Sequence, residues 1–218
     1  MIRKLPSSAS VATAQEGAKL HAPAAARNAN ALSELLLTHA PSQGSALEIA
    51  SGTGQHITAF ASAMPTLQWY PTEIDSARRA SIDAYVKEAE LTNVAPATAL
   101  DATAPGWGIR HGPQDLIVLI NLLHLISPPQ TTTLITEASA ALAPNGTVIL
   151  YGPFKRTGVL TSEGDARFDA DLRSADPAIG YKDDLDILRL LGDAGLTLEN
   201  IVAMPANNLA FVARKVRP

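Results

Sequence analysis

Glu48, Glu73, Asp101, Asn121 and Tyr151 each stand at or near the end of a short apolar run, and a turn of small residues, Ala50-Ser51-Gly52-Thr53-Gly54, lies between the first two. In an open α/β sheet, ligands lie across the carboxyl ends of the strands, so these positions reach a bound molecule. Gly52 and Gly54 let the backbone turn sharply and approach a ligand closely. Glu73 follows Gly54 by 19 residues, where a carboxylate can accept from both hydroxyls of a ribose, because two oxygens on a planar fork match two adjacent donors. Asp75 is the reserve for that role; otherwise it caps the next helix. Asp101, followed by Ala102, can accept from an adenine amino group or serve as a solvated turn carboxylate. His124 follows the run that ends in Asn121 and titrates near neutrality, which suits acid/base work or the orientation of an acceptor; the alternative is a structural histidine. Tyr151 can orient an acceptor with its hydroxyl or wall a pocket with its ring. Phe154 can stack on adenine or substrate, or pack in the core. Arg27 can grip a carboxylate bidentately. Asn28 beside it and Asn207 in the 204–208 turn are polar candidates for the acceptor side, and His56 opens the helix after the glycine turn.

These residues need a frame that brings strand ends together. Apolar runs at 46–50, 68–72, 97–100, 116–120 and 148–151 alternate with helical patterns, the mark of an α/β fold with a mostly parallel sheet and helices on both faces. Pro23 opens a helix carrying Leu32, Leu35 and Leu36; others are expected at 76–89 and at 130–142, the last stopped by Pro144-Asn145-Gly146. A polar stretch at about 152–183 reads as an insertion over the active face. A helix at 185–194 and strands at 198–203 and 209–216 complete the chain, the short turn making the last strand antiparallel. Residues 1–22 read as an extended arm before a single domain over 23–218.

A chain of 218 residues with 46% hydrophobic and 17% charged residues and a net charge of −4 has the composition of one ordinary globular core. It carries no basic stripe of the kind that nucleic acid requires, and Arg214, Lys215 and Arg217 read as a solvated tail. The absence of cysteine removes disulfides, thiolate metal sites and thiol nucleophiles. No apolar run is long enough to span a bilayer. The first 15 residues share their composition with some transit peptides but have no apolar signal-peptide core. The expectation is a cytoplasmic protein acting on a small molecule, with no membrane partner.

Glu48 to Gly54, Glu73, Asp101 and the strand at 115–121 together resemble a class I S-adenosylmethionine-dependent methyltransferase, whose usual first motif is E/D-x-G-x-G-x-G. The chain is also similar to one methyltransferase-like branch whose members mostly lack an assigned substrate. That likeness rests on Arg27-Asn28, Glu48-Ile49-Ala50-Ser51-Gly52-Thr53-Gly54-Gln55-His56, Asn121-Leu122-Leu123-His124, Tyr151-Gly152-Pro153-Phe154, Phe168-Asp169 with Leu172-Arg173, and Pro205-Ala206-Asn207-Asn208. The resemblance implies a Rossmann-like seven-stranded sheet and S-adenosylmethionine as methyl donor, with S-adenosylhomocysteine as product. The cofactor would be held by Arg27, Glu48, Ala50, Ser51, Gly52, Gly54, Glu73, Asp101, Ala102 and Asn121. The acceptor would be held by Asn28, His124, Tyr151, Phe154 and Asn207, with His124 and Tyr151 in catalytic roles. Methyl transfer from a sulfonium is an in-line displacement, so the protein aligns the acceptor, excludes water and removes a proton; no metal is needed. The acceptor atom is O or N.

Ala50 replaces the first glycine of the usual first motif, and three departures from the branch stand out: Glu73 stands where Asp is usual, and Glu163-Gly164-Asp165 and Tyr181-Lys182-Asp183 replace commoner elements near the substrate side. The alternative function is a non-catalytic S-adenosylmethionine-binding module acting through a protein partner. A nicotinamide-dependent dehydrogenase is the third reading, and Ile57 counts against it, because the dinucleotide turn wants a small residue there.

Overall fold

The computed structural model describes Pro6 and residues 9–216. A short hairpin of β1 (Thr13–Ala14) and β2 (Leu20–His21) precedes α1 (Pro23–His39), which starts at a proline and buries Leu32, Leu35 and Leu36. Then follow β3 (Gly44–Ile49), α2 (Gln55–Ala63), β4 (Leu67–Pro71), α3 (Ser76–Glu88), α4 (Gly108–His111) and β5 (Gln114–Ile120). The remainder comprises α5 (Pro128–Ala141), β6 (Leu142–Lys155), α6 (Glu163–Ala175), β7 (Lys182–Asp183), α7 (Asp184–Asp193), β8 (Leu196–Ala203) and β9 (Asn208–Lys215).

The sheet order is β4-β3-β5-β6-β9-β8, with β7 added beside β6 as the seventh strand. β3, β4, β5 and β6 pair in parallel, and β9 is antiparallel to both β6 and β8, as the final hairpin predicts. The central strands are buried on both faces, which is why β5 and β6 read as continuous apolar runs. On one face, Leu36, Ile57, Phe60 and Ile82 from α1, α2 and α3 pack on Val118, Ile149 and Val212. On the other, Leu134, Ile135, Ala138 and Ile187 from α5 and α7 pack on Ile117, Leu119, Leu150 and Phe211. Among the described residues no helix is long and apolar enough to cross a membrane.

Four sequence expectations are corrected. The run at 97–100 is not a ladder strand; its segment meets β4 only through isolated bridges, Trp69 with Val94 and Thr72 with Thr98. Pro96 removes a backbone donor, and the small side chains between Ala95 and Ala99 offer little to a pleated surface. Pro144-Asn145-Gly146 does not separate helix from strand. It forms a bulge inside β6, where the pairing jumps from Gln114–Leu142 to Leu116–Thr147 and Asn145 takes φ 66°. The extended arm is, over its described part, the β1–β2 hairpin. Arg214 and Lys215 are not a solvated tail: they lie in β9, Arg214 pairing with Glu199 at 2.8 Å and Lys215 donating to the carbonyls of Ser139 and Leu142. Arg217 lies outside the described residues.

Candidate cofactor and acceptor site

Where β3 leaves the sheet, Ala50, Gly52 and Gly54 all take positive φ, 53°, 61° and 96°, so the chain reverses within one turn before α2. The turn is stapled to the end of β4: Ser51 N donates to Thr72 O at 2.8 Å, and the Ser51 hydroxyl donates to Glu48 O at 3.2 Å. The two glycines are needed for different reasons. A Cβ on Gly54 would lie 2.7 Å from the Cα of Ile82 in α3, whereas one on Gly52 would meet nothing nearer than the Arg78 guanidinium at 3.8 Å. A Cβ at Gly52 would thus fit, at ordinary van der Waals range from Arg78, in space that no backbone atom of another element blocks.

Glu73 borders that space. Its Oε2 accepts from Gly52 N and its Oε1 from Asp75 N, both at 3.1 Å, so each oxygen keeps a free lone pair on a carboxylate held by backbone. Asp75 takes the capping role instead, its Oδ1 accepting from Arg78 N at 2.9 Å. Glu48 is buried beneath the turn, and its Oε2 has no hydrogen-bond partner. Burial raises its pKa to about 8, opposed by Ser51 and reinforced by the charge of Glu73. A carboxyl raised this way favours the protonated native state, so stability falls as pH rises from the unfolded value near 4.5 and levels off above about 8. Thermal melts of the wild type and of Glu48→Gln between those limits test this: the variant should lose that slope.

The adenine-side candidates are adjacent but partly committed. Glu73 N donates to Thr98 O at 3.0 Å, which ties the segment leading to Asp101 to the Glu73 corner. Asp101 is exposed, and its Oδ1 accepts from Thr103 N and Thr103 Oγ1, closing a local turn and leaving the other oxygen for a ligand. Ala102 is buried, with its carbonyl accepting from the Trp107 indole at 3.1 Å.

The residues expected to meet an acceptor lie just past the end of β5 and within β6. Asn121, at φ 57°, donates its N–H to Tyr151 O at 2.9 Å. Asn121 Oδ1 and His124 Nδ1 both lie close to Gly152, 3.6 and 3.9 Å from where a Cβ would stand. His124 is buried between Phe168 and Tyr181, with ring centroids 5.7 and 6.3 Å away, and its Nδ1 has no partner. Burial, with a smaller contribution from Lys182, lowers its pKa to about 3, so the ring is neutral at physiological pH. The Asn28 amide lies 2.7 Å from His56 Nε2 and 3.4 Å from the Tyr151 hydroxyl. Asn207 Nδ2 donates to Asp165 Oδ2 at 3.1 Å, bringing the β8–β9 turn onto α6.

Two candidates are not brought in. Phe154 is buried on the opposite face of β6 from Tyr151, its ring edge-on to Phe211 at 4.9 Å. Residues an odd number apart on a strand point to opposite faces, so it packs in the core and does not line the acceptor side. Arg27 is exposed on α1, and its side chain makes no hydrogen bond or ion pair among the described residues.

Residues 19–215 match the model of a family described as "Protein of unknown function (DUF938)". The chain belongs to the DUF938 family. Its fold is that of class I S-adenosylmethionine-dependent methyltransferases: it superposes on an O-methyltransferase family protein from Burkholderia thailandensis with a TM-score of 0.75 at 14% identity. It also superposes on PigF with SAH at TM-score 0.72 and 18% identity, and on an O-methyltransferase family 2 protein from Planctomyces limnophilus in complex with apigenin at 0.69 and 16%. These alignments cover 88%, 88% and 86% of this chain but only 56%, 56% and 62% of those, so the chain spans little more than half their length.

Several residues of this DUF938 chain escape sequence reasoning. Asp165 collects hydrogen bonds from Thr161, Ser162, Tyr181 and Asn207; burial opposes its charge, yet those four donors hold its carboxyl below the usual range. The Ser162-x-x-Asp165 spacing at a helix start is the signal available for it. Ser81 accepts from Leu20 N and donates to Thr53 O, and Gln55 Oε1 accepts from Ala22 N, so the hairpin before α1 is tied to the glycine turn. Arg78 donates to Ser10 O and Ser10 Oγ, while Ala9 packs with Leu172, Ile179 and Tyr181.

Proposed function

We propose that this protein transfers a methyl group from S-adenosylmethionine to an O or N atom of a small molecule. The observation that carries the reading is the Glu73 carboxylate beside the glycine turn, held by the Gly52 and Asp75 N–H groups with a spare lone pair on each oxygen. A ribose diol fits those two oxygens, while Glu48, buried and protonated below about pH 8, supports the turn from beneath. Asp101 would take the adenine amino group through its uncommitted oxygen, beside Ala102. Ala50, Ser51, Gly54 and Asn121 would shape the backbone around it, and Arg27, exposed on α1, would have to swing in to meet a carboxylate. When bound, the cofactor supplies a methyl group made electrophilic by a sulfonium.

The chain's own task is to align and to shield. Tyr151, Asn28 and Asn207 hold polar groups near the ends of β6 and β9. His124 is too weak a base to ionise a hydroxyl beforehand. It is strong enough to take, at Nδ1, the proton of an acceptor already methylated, since an O-alkylated hydroxyl bearing its proton is a far stronger acid than imidazolium. Activity limited by this group should therefore be flat from pH 5 to 8, with no inflection near the ordinary imidazole value; an inflection that disappears in His124→Gln would overturn the assignment. The neighbour in complex with apigenin and the low net charge support a small acceptor, and the neighbour with SAH supports the donor.

Titration calorimetry with S-adenosylmethionine, followed by assay of S-adenosylhomocysteine formation with a metabolite pool, tests the reading. No binding and no product would end it; tight binding without product, plus a specific co-purifying protein, would favour the non-catalytic module. Arg27→Ala should weaken cofactor affinity roughly 10-fold, about the value of one charge-assisted contact. Unchanged affinity would remove Arg27 from the site.

A further inference from the structure

Three separate sequence strings meet in one hydrogen-bonded chain at the junction of α1, α2 and the end of β6: Asn28, His56 and Tyr151. One atom of the Asn28 amide lies 2.8 Å from Ala24 O, 3.0 Å from Ala25 O and 2.7 Å from His56 Nε2. Two carbonyl oxygens at that range can only face a donor, so this atom is the NH2, sharing its two hydrogens among three acceptors. His56 Nε2 must then be the unprotonated ring nitrogen, and the histidine proton resides on Nδ1. Burial that pushes the His56 pKa down to about 4 keeps this neutral form. The ring is fixed further by stacking on Phe60, with centroids 5.6 Å apart and planes 2° from parallel.

The other atom of the amide, 3.4 Å from the Tyr151 hydroxyl, is consequently the oxygen. It accepts, so Tyr151 donates. A hydroxyl has one hydrogen and two lone pairs, and with the hydrogen turned toward Asn28 only lone pairs face anything else.

We propose that His56 and Asn28 are positioning residues that act through Tyr151, orienting its hydroxyl to accept a hydrogen bond and so selecting an acceptor molecule whose reacting group carries O–H or N–H. A carboxylate, an ether, a thioether or a tertiary amine has no hydrogen to offer, and docking one against Tyr151 leaves a lone pair facing a lone pair. The same orientation separates substrate from product for a hydroxyl: the methylated oxygen first carries its proton as an oxonium, and once that proton has left for His124 Nδ1 the ether no longer donates to Tyr151, and the contact that held it is gone. The assignment of the reacting group rests on the methyl-transfer reading, whereas the orientation of the three side chains does not.

Nuclear magnetic resonance of protein labelled with 15N at histidine and 13C at the tyrosine hydroxyl carbon tests the orientation, with and without S-adenosylhomocysteine. His56 should show a protonated Nδ1 and an unprotonated Nε2. Of the four tyrosine signals, that of Tyr151 should move in Asn28→Leu and in His56→Ala but stay in place in His56→Gln, whose amide oxygen can accept from Asn28 in the same way. With the metabolite pool, His56→Ala should lower S-adenosylhomocysteine formation by about 10-fold or more while cofactor affinity changes less than about 2-fold, and His56→Gln should restore most of the rate. A proton on His56 Nε2, or equal behaviour of the alanine and glutamine variants, would overturn the proposal. The wild-type histidine spectrum decides it even if a variant fails to fold. Absence of cofactor binding would defeat the methyl-transfer reading and leave the orientation to be judged by the spectra.

Discussion

Glu73→Ala is expected to weaken S-adenosylmethionine binding by about 100-fold or more. Each hydrogen bond to a charged group contributes about 1.5–3 kcal/mol, and the carboxylate would offer one lone pair to each ribose hydroxyl. Their loss alone amounts to about 3–6 kcal/mol, or at least two decades in affinity. The alanine also strips Gly52 N and Asp75 N of their partner, so the glycine turn loses the strut that holds its shape. Glu73→Gln should fall nearly as far, since it turns an NH2 toward one of two backbone donors. Asp75→Ser, which keeps the helix cap, should bind like the wild type. Calorimetry on the three variants separates the two acids; wild-type affinity in Glu73→Ala would sink the ribose assignment.

The second large effect divides the two glycines. Gly54→Ala should destabilise the fold by about 3 kcal/mol or more, because a left-handed residue with a Cβ costs about 1–2 kcal/mol and the new methyl also drives α3 away. The obstructing atom is backbone, Ile82 Cα at 2.7 Å, so no side-chain rotation relieves it. Gly52→Ala meets nothing nearer than the Arg78 side chain, at an ordinary 3.8 Å, and should cost only the left-handed strain, about 1–2 kcal/mol, yet on the methyl-transfer reading its methyl would crowd the cofactor. Denaturant unfolding and calorimetry should therefore show Gly54→Ala as chiefly a folding defect and Gly52→Ala as chiefly a binding defect. Equal loss of stability in both would refute the distinction.

The parts of this molecule that were legible in its sequence are those dictated by local rules. Strands β3, β5 and β6 are apolar because they are covered on both faces, and α1 and α3 start at a proline and at Asp75 for reasons of capping. The sharp turn at Ala50 to Gly54 after β3 could be read from its glycines, and the structure joins it to Glu73 through Gly52 N. The misreadings arose where tertiary context decides. Pro144-Asn145-Gly146 has turn chemistry but is absorbed as a bulge, because β6 continues to pair with β5 on either side of it. Phe154 lies in a string with Tyr151, yet strand alternation sends it to the other layer. His56 and Asp165 could not be assigned in advance, because their meaning depends on partners 28 and 42 residues away, Asn28 and Asn207.

The pairing of β6 with β9 works as a ruler. Tyr151 stands opposite Ala210 and Pro153 opposite Asn208, so the distance from the Tyr151 hydroxyl to the Asn207 amide is set by counting residues along two hydrogen-bonded rails. Removing one residue between Asn207 and Ala210 would draw the turn back by one strand step, about 3.3 Å, taking Asn207 off Asp165 while leaving the core pairing of Phe211 and Val212 in place. On the methyl-transfer reading, length variation in that short segment would thus resize the space beside Tyr151 while leaving the glycine turn and Glu73 untouched.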